Sequence, residues 1–300
     1  MTTTVSFFLN LRPRSCDMPA DASANASDPV AAATSDLVTL REPGGGVARI
    51  TAHGAHVLEW RPEAGAHNQL FLSADSAFGA DASIRGGIPV IFPQFGEFGE
   101  LPKHGFARRS AWQLLAVDEA SATFALSEGP ATLDIWPHPF SLNLTVSLRA
   151  SELRCLLTVE NTGDDAFQFT AGLHTYLRVA AIDTVALVGL GGRTYWDATR
   201  GMAEAIQAED ELRFGPELDR VYPNVLHALT MTDGPRRLRI EAEGFQDVVV
   251  WNPGADKAAA MSDMEPGGEQ RMLCVEAAQI DNPVSLGPGA RWQGAQMLTV

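Results

Sequence analysis

From residue 37 onward the chain is built of short runs in which apolar and polar side chains alternate. This is the period-two signature of strands with one buried face. The clearest run is Phe140-Ser-Leu-Asn-Leu-Thr-Val-Ser-Leu-Arg149, apolar at every second position. Residues 153–160 repeat the pattern after Ala150-Ser151-Glu152, so the two runs predict an antiparallel pair. Further extended runs lie at 37–41, 47–52 and 57–60, separated by Pro-Gly-Gly-Gly and His-Gly-Ala. Those at 112–117 and 122–127 are spaced as a hairpin, and others follow at 167–173, 184–190, 238–242, 248–251 and 272–276. The stretch from Val284 to Trp292 reads as a strand, a tight turn and a closing strand. Helical signals are scarce; residues 202–214 predict one or two helical turns. Strands at intervals of roughly 10–15 residues with few helices predict an all-β fold, a large antiparallel β-sandwich with few short helices.

No linker, repeat or charge block divides residues 37–300, which predicts a single domain there. Residues 1–36 read as a disordered N-terminal segment, because 17–36 are rich in Ala, Ser and Asp and poor in large apolar groups. The apolar run at Val5-Ser-Phe-Phe-Leu9 is followed, not preceded, by arginines, the reverse of a secretory signal. Met18 is a candidate start, which the intact mass of the native protein would decide.

Charge narrows the partners. Acidic residues outnumber basic ones 37 to 22, a formal net charge of -15. Such a surface argues against nucleic acid and against anionic membranes. An anionic small molecule stays possible, since a few local arginines outweigh a distant field at ordinary ionic strength. No run approaches the ~18 apolar residues of a membrane-spanning helix. The three cysteines, Cys16, Cys155 and Cys274, show no metal-ligand spacing, and an odd count gives no disulfide framework. They predict inert thiols in a reducing cytoplasm.

Residues 84–108 break the alternation. They read Ile-Arg-Gly-Gly-Ile-Pro-Val-Ile-Phe-Pro-Gln-Phe-Gly-Glu-Phe-Gly-Glu-Leu-Pro-Lys-His-Gly-Phe-Ala-Arg, with five glycines and three prolines. That composition disfavours a long strand or helix. A loop this apolar predicts a packed loop that fixes Arg85, Lys103, His104 and Arg108. Three cations and an imidazole suit a small anionic ligand beside acid/base chemistry.

Among the histidines, His53, His56, His67, His138 and His227 read as surface or packing imidazoles. His104, closing the packed loop, and His174, at the end of an apolar strand, read either as packed or as chemical groups. Glu276 is a carboxylate inside the apolar run Leu-Cys-Val-Glu-Ala-Ala. Burying it unpaired costs several kcal/mol, so it needs partners or a raised pKa. A structural ion pair and a proton-transfer group both satisfy that requirement. His104 and His174 lack nearby Cys or His in sequence, so no metal site is expected. The six tryptophans read as core.

With these residues assembled, the chain resembles the aldose 1-epimerase (galactose mutarotase-like) superfamily, and within it the hexose-6-phosphate mutarotases. The matching pieces are Ile84-Arg-Gly-Gly-Ile-Pro, Phe92-Pro-Gln-Phe-Gly, His104-Gly-Phe-Ala-Arg, Leu173-His-Thr-Tyr-Leu, Leu218-Asp-Arg-Val-Tyr, Val250-Trp-Asn-Pro and Cys274-Val-Glu-Ala. The resemblance implies a supersandwich with its site on a concave sheet face, no metal and no organic cofactor. It implies His174 as the acid toward the sugar ring oxygen and Glu276 as the base toward the anomeric hydroxyl, on opposite sides of the sugar. His104 would steady the reacting oxygens, and activity would peak near neutral pH. Asp219 and Gln94 would bind the sugar, and Arg85 and Arg108 the 6-phosphate, with Lys103 as helper. The expected partner is a small phosphosugar, glucose 6-phosphate first, on a cytoplasmic monomer or weak homo-oligomer. The competing expectations are a mutarotase of unphosphorylated sugars and a non-catalytic carbohydrate-binding protein. A glycosidase fits poorly, because it wants two carboxylates flanking one bond.

Overall fold

A computed structural model of the chain describes residues 37–79 and 82–300 together with Val30. The expected disordered segment and the candidate start at Met18 lie outside the described residues. Val30 alone is described there, and it is buried in a small cluster with Leu58, Leu72 and Ile84.

Strands dominate, as the alternation predicts. A three-stranded sheet is formed by Leu37–Arg41, Val47–Thr51 and His56–Arg61. A nine-stranded and an eight-stranded sheet make up the body, and the recorded strand pairs are antiparallel. In the nine-stranded sheet, Phe140–Arg149 pairs with Glu152–Asn161 across the expected turn, and Gln113–Val117 pairs with Ser121–Ser127 as the expected hairpin. Arg291–Thr299 closes back beside Glu152–Asn161 after the turn at 287–290. One core cluster draws residues from all three sheets, among them Trp60, Leu144, Leu157, Leu173, Val250 and Val275.

Two expectations about local structure are corrected. Residues 202–214 hold the strands Ala203–Ile206 and Glu211–Arg213 in place of helical turns. Ala203–Ile206 pairs with Thr194–Asp197, so ladder pairing overrides a weak local preference for helix. Two short helices, Pro130–Ile135 and Gly254–Ala259, stand where no helix was expected.

The eight-stranded sheet positions the site. Its centre is the long strand Met272–Leu286, flanked on one side by Asp247–Asn252. On the other side it changes partner, pairing first with Tyr176–Arg178 and then with Phe167–Leu173. Residues 174 and 175 lie in the gap between those two partners.

Candidate active site

Glu276 lies at the middle of the central strand, opposite Val249 and next to Ala277, which pairs with Leu173. His174 follows Leu173 directly, so the strand register brings two residues distant in sequence side by side. His174 Nδ1 lies 3.3 Å from Glu276 Oε1, with the two side chains 9% and 2% exposed. The contact is close without the alignment of a hydrogen bond, and the other Glu276 oxygen, Oε2, is buried without an acceptor or donor among the described residues. The expected arrangement on opposite sides of a sugar is therefore corrected: no pyranose fits between groups this close. Adjacency is compatible with the chemistry, because the ring oxygen and the anomeric hydroxyl are bonded to the same carbon.

The packed loop supplies the rest of the site. From Ile84 to Gly96 its residues are buried apart from half-buried Arg85, and the crest from 97 to 100 is exposed. The paired glycines have a steric cause. Gly86 and Gly87 have φ of 127° and 61°, and a Cβ on Gly87 would come 2.2 Å from the Val57 carbonyl oxygen. The carbonyls of Gly87 and Pro89 then accept from the N–H groups of Tyr176 and His174. His56, buried, places its Nε2 2.7 Å from the Gly86 carbonyl oxygen; it is the packing imidazole expected. At the far end of the loop His104 itself has φ of 63°, an unusual conformation for a residue with a Cβ. The Gly96 N–H donates to its Nδ1 at 3.2 Å, so the neutral ring carries its proton on Nε2. The His104 and His174 rings lie 5.4 Å apart, nearly edge to face.

These side chains open into one cavity of ≈ 580 Å³. Its lining includes His104, His174, Glu276, Asp219, Arg85, Arg108 and Lys103. Of the expected binding residues, Gln94 is the exception. It is buried, its Nε2 donates to the Leu101 carbonyl, and its Oε1 accepts from the Leu101 N–H at 3.0 Å. The expectation that Gln94 touches substrate is corrected: it holds the loop crest together. Lys103 is also not fixed; it is exposed at the rim and pairs with exposed Glu97.

Four further residues matter that sequence reading missed. Tyr176 stacks on His174 with ring centroids 4.8 Å apart and planes 10° from parallel. Trp251, expected in the core, lines the cavity and meets the His174 ring edge to face. Lys257, on the short helix Gly254–Ala259, lines the opposite rim. Gln296, buried on the facing sheet, accepts from the Thr175 hydroxyl and donates to the Val275 carbonyl at 3.0 Å. Thr175 immediately follows His174 and Val275 immediately precedes Glu276, so one amide holds the two segments that carry these residues. Tyr176 and Trp251 lie inside the motifs quoted from the sequence; nothing in the pattern singles out Gln296 or Lys257.

Electrostatics separate the groups. Burial pulls His104 down to about 3, helped by Arg108 and Lys103, so this ring is a neutral Nε2–H donor. Burial, with His104, Arg108 and Arg85 nearby, holds His174 well below the usual imidazole range. Burial and Asp219 push Glu276 well above the usual carboxylate range, against the pull of Arg108. At neutral pH both directions favour a neutral imidazole beside a protonated carboxyl. These directions run against the expectation of an imidazolium beside a carboxylate.

Cys274 also approaches: ligand atoms of His174, Cys274 and Glu276 lie within 4.8 Å of one another. The cysteine comes near His174 only through the fold, 100 residues away in sequence. A ligating thiol must lose its proton, and burial and Glu276 push the Cys274 thiol well above its ordinary value. The cleft cations Arg85 and Arg108 further disfavour a metal ion there.

With this geometry in view, residues 36–299 match the aldose 1-epimerase family. The chain belongs to that family, a class of enzymes. A protein of Cenchrus ciliaris named "Putative glucose-6-phosphate 1-epimerase" is 35% identical over 86% of this chain and 83% of its own length. A protein of the same name from Escherichia coli K12 is 36% identical over 81% of this chain and 83% of its own length. The crystal structure of a "putative mutarotase (YeaD)" from Salmonella typhimurium superposes with a TM-score of 0.81 at 29% identity, covering 88% of this chain and 90% of that one.

Proposed function

We propose that the protein interconverts the α and β anomers of a hexose 6-phosphate, glucose 6-phosphate first among them, by acid/base opening and closure of the ring. The observation that carries this reading is one cavity lined by a buried imidazole–carboxylate pair and two half-buried arginines.

Ring opening needs a proton on the ring oxygen and a proton removed from the anomeric hydroxyl. In the closed-ring complex the pair's proton resides on His174, which gives it to the ring oxygen, while Glu276 takes the proton of the hydroxyl. The pair then holds its one proton on Glu276, as a neutral imidazole beside a neutral carboxyl. Rotation about C1–C2 presents the other carbonyl face, and closure runs both transfers backward. Both arrangements of the proton are visited in every turnover, and a lowered His174 with a raised Glu276 favours the one with the proton on Glu276. Each well-placed proton-transfer group contributes roughly 10²–10⁴ in rate. His104, neutral and donating through Nε2, steadies negative charge on the reacting oxygens. Asp219, which lines the cavity, accepts from sugar hydroxyls.

The phosphate goes to Arg85 and Arg108. The Nε–H of each is buried and has no acceptor among the described residues. Arg108 is held down to about 10 by burial and by Arg109 and Arg85 beside it, and a dianion between the two guanidiniums relieves that repulsion. Lys103 adds charge from the rim. No helix among the described residues is long and apolar enough to cross a membrane.

The test compares substrates. Arg85→Ala raises KM for glucose 6-phosphate by about tenfold or more, the scale of one charge-assisted bond, and leaves the KM for glucose nearly unchanged. Equal effects on both substrates remove the phosphate assignment.

A further inference from the structure

The phosphate-binding end and the reacting end of the cleft are physically joined, and the joint is Tyr176. Its phenol oxygen accepts from Arg85 Nη1 at 2.9 Å. Its ring lies flat on the His174 imidazole, 4.8 Å between centroids and 10° between planes. The backbone reinforces the link, since the N–H groups of His174 and Tyr176 both donate to the loop that carries Arg85, at Pro89 and Gly87. Arg85 is also not saturated by its protein partners. Its second terminal nitrogen is paired with Asp263 at 3.0 Å, and its Nε–H has no acceptor among the described residues. An anion can thus bind Arg85 while Tyr176 and Asp263 keep their places.

We propose that Tyr176 is a positioning residue that couples occupancy of the Arg85–Arg108 clamp to the His174–Glu276 pair. An anion in the clamp then accelerates ring opening even when it is not attached to the sugar. The inference rests on the reading of the cleft as a phosphosugar mutarotase site and extends it from binding to activation. Two physical effects act together. An anion fixes the Arg85 guanidinium, and through the phenol it fixes the ring on which His174 stacks, so the imidazole is held for proton transfer. The anion also cancels the positive field of Arg85 and Arg108 at His174, which favours the protonated imidazole that opening requires. His104, Glu276 and Cys274 also face that imidazole, and Arg108 acts on Glu276 as well, so the field at both members of the pair changes when the clamp fills. Binding energy at the far end of the substrate is thereby expressed at the reacting carbon, in kcat as well as in KM.

The experiment uses the whole enzyme with glucose, which carries no phosphate, and sulfate as the free anion. Sulfate is a poor proton carrier and so adds little buffer catalysis of its own. Anomer exchange is followed by NMR with and without sulfate, at constant ionic strength set by chloride. The expected result is a saturable rise in enzyme-catalysed glucose exchange of about tenfold. The same sulfate concentrations competitively inhibit turnover of glucose 6-phosphate. Tyr176→Phe keeps the competitive inhibition, because the arginines remain, and loses most of the stimulation. Sulfate that inhibits the phosphosugar reaction yet leaves glucose exchange unchanged overturns the coupling and leaves the clamp standing. Stimulation undiminished in Tyr176→Phe overturns the role of Tyr176. Sulfate without effect on either substrate overturns the clamp itself, and the coupling with it.

Discussion

The two large sheets of this molecule solve the same folding problem in different ways. Along Phe140–Arg149 and Glu152–Asn161 burial alternates strictly: every second residue is in the core and its neighbour is partly exposed. Along Asp247–Asn252, and over the first nine residues of Met272–Leu286, every residue is buried. The first pair has one working face. The second has two, one against the core and one forming the cleft floor. A strand buried on both faces ordinarily reads as unbroken apolar sequence. Here the second face includes Glu276, Trp251 and the clustered His174 beside it. Buried polar residues in a strand without alternation mark where the sheet gives up stability for chemistry.

The largest effect that sharpens this contrast is at the floor itself. Glu276→Gln is expected to cut kcat for glucose 6-phosphate at least ~100-fold while the sugar phosphate still binds. Steady-state kinetics with a binding titration check it, and near-normal turnover would return Glu276 to the status of a structural buried carboxylate. The outward side of the alternating strands should be indifferent by comparison: Ser147→Ala changes kcat less than about twofold.

Gln296 tests whether the clamp between the sheets matters to the site. Gln296→Leu removes both of its hydrogen bonds, to Thr175 and Val275. It should lower kcat about tenfold with little change in KM, the pattern of lost positioning. Gln296→Glu retains an acceptor for Thr175 and should recover part of the loss. A change in melting temperature with kcat intact would make Gln296 a core residue only.

The smallest expected effect concerns the loop anchor. Burial pulls His56 down to about 3 against an ordinary 6.5. Below pH 6.5 the unfolded chain binds a proton at this residue and the folded chain does not. Its contribution therefore falls as pH drops from 6.5 toward 3. The melting temperature of the wild type should drop more steeply between pH 6.5 and 4 than that of His56→Asn, by roughly 5 °C. Parallel slopes would mean that His56 takes up its proton in the native state as it does in the unfolded one.

Many of the strands were legible because alternation is a direct record of one-sided burial, whereas Thr194–Asp197, Leu218–Tyr222 and Leu229–Asp233 were not. The failures have physical causes. Residues 203–206 carry Ala-Glu-Ala-Ile, which locally favours a helix, and only pairing with Thr194–Asp197 makes them a strand. The short helices lack the length over which a 3.6-residue period can be read. In the site, His104, His174, Glu276, Arg85 and Arg108 stood out because each interrupts an apolar stretch. Gln94 entered only through the family resemblance and is a loop staple, since an amide has both donors and an acceptor to satisfy the backbone. Asp263, Lys257 and Gln296 reach the site from a turn, a short helix and the opposite sheet, so no local pattern announces them. The relative placement of His174 and Glu276 was misjudged because sequence carries chemistry without register. It is the pairing of Ala277 with Leu173 that sets them edge to edge.

In the proposed mechanism His174 and Glu276 act as one unit, one giving a proton to the sugar while the other takes one from it. Anomer exchange of glucose 6-phosphate, measured by NMR for His174→Asn, Glu276→Gln and the double variant, addresses that directly. Groups that act together should be lost together: the double variant should exchange within a few-fold of either single variant. If the two losses multiply instead, the residues work independently and the paired mechanism is wrong.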